Sequence, residues 1–253
     1  VTLRLLALWV AAAALRCACA AAEPVHVLAL AFDVASCERL AKAVAPFGVE
    51  MAVVAASPET LAAIAGDGAE LRSLFDVLFI QQGKELPARA GSGFLALCCD
   101  ALEEGMGLVL EGGASAYGAS GFEGTHLARY APVVGLGAGP ESYVTGRTDR
   151  ALVQDEHSPL LRYLGWGGSP PISSYCLLRA RREATVHLTA GGYPLLLDWR
   201  AGKARVVAFA GGLTGAWAKE WESWRSFDAF RARLFLAAGG VDDKALKGVV
   251  ARK

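Results

Sequence analysis

The chain has 253 residues, 54% of them apolar, with 25 basic and 25 acidic side chains and four histidines. A formal charge of zero gives no electrostatic footprint for nucleic acid, and the apolar fraction excludes a disordered chain. Charged residues make up 20%, too few for a coiled coil, so one sizeable α/β core is the expectation at this length.

Residues 1–22 read as an address. Arg4 supplies a positive start, Leu5 to Leu15 an apolar stretch, and Ala18-Cys19-Ala20 or Ala20-Ala21-Ala22 a cleavage site. The stretch falls short of the ~20 apolar residues that span a bilayer. The reading is therefore a signal peptide and an exported, periplasmic or secreted chain, with an uncleaved membrane anchor as the minority reading. Arg16 argues against a lipoprotein motif around Cys17 and Cys19. No later segment is apolar and long enough to cross a membrane, and residues 23–253 read as one domain.

Val25–Phe32 is a continuous apolar run, the mark of a strand buried on both faces. Helical spacing through Leu40, Val44 and Phe47 follows, ended by Gly48. Val49–Ala55 is the second strand, and Ser57-Pro58 starts a helix. Asp76–Gln81 is the third strand, Ser92–Glu104 a helix, and Gly107–Glu111 the fourth strand, running into Gly112-Gly113. Strands alternating with helices predict right-handed crossovers and a parallel sheet. Ligands sit at the carboxyl ends of such strands, which singles out the loops after Phe32, Gln81 and Glu111. The second half changes character: Ser174–Leu178, Thr185–Thr189, Tyr193–Trp199 and Ala204–Ala210 read as strands joined by short turns. Phe227–Ala238 closes the pattern as an amphipathic helix with Phe227, Phe230, Leu234 and Ala238 on one face.

Past the leader the cysteines are Cys37, Cys98, Cys99 and Cys176. No C-x-x-C pair and no zinc-like Cys/His spacing occurs, so core packing is expected, with one disulfide left open. No metal and no cofactor is expected.

Three patterns resemble the glutamine amidotransferase-like domain of the class I amidotransferase-like superfamily, to which the trehalose-utilisation-like branch is related. They are LVLEGGASAYGASGF (Leu108–Phe122), HSPLLRYLGW (His157–Trp166) and the stretch from GYPLLLDWRAGKARVVAFAGG to the last helix (Gly192–Gly240). The resemblance implies a flavodoxin-like three-layer sandwich with a mainly parallel sheet and an antiparallel extension. It also implies where a catalytic triad would stand: a cysteine at a sharp strand-to-helix turn, with histidine and glutamate after a late strand. Here the turn falls at Glu111–Gly113, and Ala210-Gly211-Gly212 follows the late strand Val206–Phe209, so all three positions are empty. Amide attack needs a thiolate and a base to generate it. Glutaminase activity is not expected.

Other candidates are weighed residue by residue. Ser115 in the glycine-rich turn suits a nucleophile only with a base beside it, and capping the turn is the simpler role. Gly112 and Gly113 offer backbone N–H groups to an anion. His126 and His157 fall in loops of the site face; His157-Ser158-Pro159 reads as a helix start with Ser158 at the cap rather than a metal cluster with Asp155 and Glu156. Trp217, Trp221 and Trp224 are spaced for one helical face, read as packing over the sheet edge in preference to ligand stacking. Asp33, at the end of the first strand, is either a ligand contact or a helix cap, and His26 and His187 are strand residues. The ligand candidates are thus Asp33, Gly112, Gly113, Ser115, Tyr117, Gly118 and Trp217, with Ser115 and His157 as weak catalytic candidates. The expectation is a pseudoenzyme that binds an unknown small molecule or protein partner. The alternative is a hydrolase of altered chemistry acting on an extracytoplasmic small molecule such as a sugar derivative.

Overall fold

The computed structural model describes residues 23–61, 63–64, 66–83, 85–114, 116–118, 121–134 and 142–250. The leader at residues 1–22 and the candidate Ser115 lie outside the described residues.

Twelve strands are described: β1 (Val25–Ala31), β2 (Val49–Ala55), β3 (Val77–Ile80), β4 (Gly107–Glu111), β5 (Val133–Val134), β6 (Tyr143–Val144), β7 (Leu152–Val153), β8 (Tyr175–Cys176), β9 (Arg179–Ala180), β10 (Thr185–Ala190), β11 (Tyr193–Ala201) and β12 (Ala204–Phe209). The helices are α1 (Val34–Val44), α2 (Pro58–Leu61), α3 (Gly68–Leu74), α4 (Leu86–Ala90), α5 (Ser92–Glu103), α6 (Gly215–Ala218), α7 (Phe227–Ala238) and α8 (Asp243–Gly248).

Eight strands form one sheet in the order β2-β1-β3-β4-β12-β11-β10-β7. The first five are parallel, and β11, β10 and β7 extend the sheet antiparallel. Every residue of β3 and β4 is buried, as apolar runs without alternation require when helices cover both faces. The chain leaves β1 toward β2 and later runs from β2 across to β3 and β4. Right-handed connections therefore put α1 on one face and α3 with α5 on the other. Packing agrees: α7 joins α1 over β12, β4, β1 and β2, while α3 packs on α5. The reversal between β1 and β3 is the topological switch point, where ligand sites form in such sheets.

Several expectations are corrected. Only Tyr175–Cys176 of the stretch Ser174–Leu178 is strand, because it pairs with β6 and the Cys176 N–H turns to the Ala210 carbonyl at 2.9 Å. The expected helix Phe227–Ala238 is α7 and has the expected limits, but it does not close the chain, since α8 follows, and it is not amphipathic. All its residues except Asp228 are buried, Arg231 and Arg233 included. Its sheet side meets Phe79 and Phe209 through Phe235 and Phe230, and its outer side is covered by the turns around Pro159 and Arg162 and by Val249. Those turns replace the helix expected at Ser158. The Leu161 and Arg162 amides donate to the Ser158 carbonyl, while its hydroxyl has no partner. The three tryptophans do not share a helix either, since α6 ends at Ala218 and a separate 3-10 turn spans Trp221–Ser223. Trp221 and Trp224 are buried with Trp166, Phe209 and Phe230 in an aromatic layer. Cys37, Cys98, Cys99 and Cys176 are free and buried, so the core reading holds.

Candidate functional site

The site is built where apolar strands end in single polar residues. Gln81 follows β3 at the switch point and is 0% exposed. Its Oε1 accepts from the Phe32 and Asp33 amides, both at 2.7 Å, and its Nε2 donates to Thr214 Oγ1 at 2.9 Å. Glu111, the last residue of β4, is also 0% exposed. Its Oε1 accepts from the Leu213 and Thr214 amides at 2.8 and 2.7 Å, and the Thr214 hydroxyl lies 2.9 and 3.0 Å from its two oxygens. A directional chain results: the Gln81 amide donates to the Thr214 hydroxyl, which donates to Glu111. Three strand ends and the loop after β12 are laced together by groups that would each cost ~1–3 kcal/mol if buried unpaired. Burial pushes the Glu111 carboxyl up to about 8, against the pull of the Thr214 and Leu213 donors and of Arg231. Arg231 closes the network by donating to the Leu213 carbonyl at 3.1 Å.

The sharp turn itself has no space for a side chain. A β-carbon on Gly112 would stand 1.9 Å from the Ala210 carbonyl oxygen, because the two backbones touch and the Gly112 amide donates to Gly211 O at 3.0 Å. On Gly113 it would stand 2.9 Å from Cβ of Gln82. A thiol does approach this turn, but from β8: Cys176 Sγ donates to the Gly113 carbonyl at 3.4 Å. Burial pushes that thiol up to about 12, so it stays protonated and unreactive. After β12 come Ala210, Gly211, Gly212, Leu213 and Thr214, with no imidazole among them.

The histidines stand elsewhere. His126 and His157 are exposed, and His26 begins β1 at the opposite end from the switch point. His187 is buried in β10, its Nε2 2.9 Å from Asp198 Oδ1, while Arg205 holds the other oxygen, Oδ2, of the same carboxylate. Asp33 caps α1 by accepting from the Ser36 amide at 3.2 Å, and the Ser36 hydroxyl holds its carboxyl below the usual range. Tyr117 lies buried beneath the turn, its hydroxyl 3.3 Å from Leu110 O and 3.4 Å from Phe209 O; Gly118 is buried beside it. Gly112, Gly113 and Tyr117 thus come together with Gln81, Glu111, Thr214 and Cys176, which sequence reasoning passed over. Their signal was a polar residue ending a strand otherwise buried on both faces.

Beside Gly113 stand Gln82, Tyr143 and Trp217. Gln82 takes a left-handed conformation (φ 51°) that puts its side chain between Gly113 and Gly215. Tyr143, paired in register with Cys176, meets Trp217 with ring centroids 5.7 Å apart, and both rings are half-buried. Among the described residues no group of three His, Cys, Asp or Glu side chains is placed to hold a metal ion. No helix of these residues is long and apolar enough to cross a membrane.

No protein-family model matches the chain, and no curated protein matches it by sequence. Solved structures do match. A cytoplasmic protein of Salmonella typhimurium LT2 is 18% identical with a TM-score of 0.70, over 84% of this chain and 99% of its own. A second Salmonella typhimurium cytoplasmic protein is 19% identical with a TM-score of 0.69, over 91% and 100%. A ThuA-like protein from Parabacteroides merdae is 14% identical with a TM-score of 0.58, over 91% and 93%. These likenesses show a shared α/β fold, a mainly parallel sheet with an antiparallel extension, in agreement with the fold that the resemblance implies.

Proposed function

We propose that this chain is a non-catalytic binding domain on an amidotransferase-like fold, with its ligand site at the rim above Gly113. One observation carries the reading. The turn that would present a nucleophile has backbone packed against backbone, so Gly112 admits no side chain. Glu111 and Thr214 spend their polar atoms on the strand ends, and the Cys176 thiol beside the turn is protonated. The Gln82 amide and the tilted pair of Tyr143 and Trp217 suit a small uncharged ligand with a flat apolar face.

A hydrolase acting on a sugar derivative is the second reading, favoured by the same aromatic pair and by likeness to a ThuA-like protein. It requires a base that the rim lacks among the described residues. Export through residues 1–22 belongs to the proposal on their leader pattern alone, while two similar Salmonella proteins are described as cytoplasmic. Fractionation of cells expressing the full chain separates the two locations.

The deciding experiment incubates the protein with glutamine and, separately, with an electrophilic glutamine analogue, following ammonia and intact mass. The expected result is neither ammonia nor adduct, with neutral saccharides and amides raising the melting midpoint only while Trp217 is intact. Turnover or a stoichiometric adduct overturns the reading, and the labelled residue then identifies the nucleophile.

A further inference from the structure

On α7, one buried cation has no anionic partner among the described residues. Arg233 is 0% exposed. Its Nε donates to Val249 O at 2.8 Å, and its Nη1 to Pro159 O at 3.0 Å and Arg162 O at 2.6 Å. These acceptors are all neutral, and Nη2 has no partner. Burial lowers the guanidinium only to about 10, which leaves it charged at neutral pH. Asp228, on the same helix, is engaged with Arg231. Ser158 adjoins Pro159, is likewise 0% exposed, and its hydroxyl also has no partner. Both donors, one of them on a full charge, stand where the loop at residues 158–162 meets α7, since Arg233 Nη1 holds the carbonyl of Pro159, the residue after Ser158. A guanidinium has no acceptor of its own, and buried charge is costly until a counter-charge meets it.

We propose that Arg233 and Ser158 enclose a site for a small inorganic anion of the halide class, held by Nη2 and Oγ under the turns of residues 158–162. The donors ask for an acceptor that is compact and negative. Complete burial of both side chains excludes a carboxylate or phosphate ligand of larger size. The site is separate from the rim above Gly113 and stands whether or not that rim binds a ligand.

Crystals of the full chain grown from sodium bromide test this directly. The expected result is an anomalous bromide peak within hydrogen-bond reach of Arg233 Nη2 and Ser158 Oγ. In solution, chloride should raise the melting midpoint above that in gluconate at equal ionic strength, by about 3 °C near tenfold saturation. Ser158→Ala should weaken the apparent chloride affinity about tenfold, the loss of one hydrogen bond to an anion. Arg233→Met should abolish the chloride effect; if that variant does not fold, Ser158→Ala and the bromide crystals carry the test. Ordered water without an anomalous peak at Nη2, or equal midpoints in the two salts, overturns the proposal.

Discussion

Glu111 and Arg233 are both wholly buried ionisable side chains, and the fold meets them in opposite ways. Glu111 stands at a strand end, where the loop after β12 turns two backbone N–H groups and a hydroxyl toward it. Arg233 stands in a helix, and three backbone carbonyls from two separate segments come to it. Backbone dipoles solvate each, joined at Glu111 by the Thr214 hydroxyl and the charge of Arg231. The difference lies in completeness: Glu111 has donors on its oxygens, while Arg233 keeps one nitrogen unpaired. Full satisfaction turns a group that could serve chemistry into a fastener. A leftover donor is what a ligand recognises.

The most damaging way to break the comparison is Glu111→Ala, which leaves the Leu213 and Thr214 amides buried without acceptors. It should cost about 4 kcal/mol in urea unfolding, at the upper end for a broken buried network. Arg233→Met keeps the volume and strands three carbonyls, and should cost about 3 kcal/mol by the same measurement. Thr214→Val removes the hydroxyl that links Gln81 to Glu111 without changing shape, for about 2 kcal/mol.

The remaining effect is a slope. The folded Glu111 carboxyl sits at about 8 against an ordinary 4.5, so between those values the folded chain holds a proton that the unfolded chain has released. Its contribution is therefore largest at and below pH 4.5 and is lost as pH rises toward 8. Asp33 and Asp198 are shifted downward and act only below about pH 4, outside this window. Urea midpoints measured from pH 5 to 8 should fall with pH in the wild type and flatten in Glu111→Gln.

The same contrast explains what the sequence revealed. The limits of β4 and α7 were legible because one is a continuous apolar run and the other a helical repeat of apolar residues, each next to turn residues. The antiparallel extension was legible from the short turns that join β10, β11 and β12. The roles of Gln81 and Glu111 were not, because their partners lie 133 and 103 residues away and no local spacing records such distances. The amphipathic reading of this helix missed the cover on its outer side, where the turns near Pro159 and Val249 bury Arg233. The tryptophan spacing misled for a related reason: periodicity does not register that the helix stops at Ala218.

The four buried thiols at Cys37, Cys98, Cys99 and Cys176 are distributed over α1, α5 and β8. With the leader cysteines replaced, each thiol reacts with an alkylating reagent only when its own element opens. The chain thereby carries its own clock: the order in which the four positions gain mass reads out which layer of the sandwich loosens first. That needs no added probe and no disulfide to reduce beforehand.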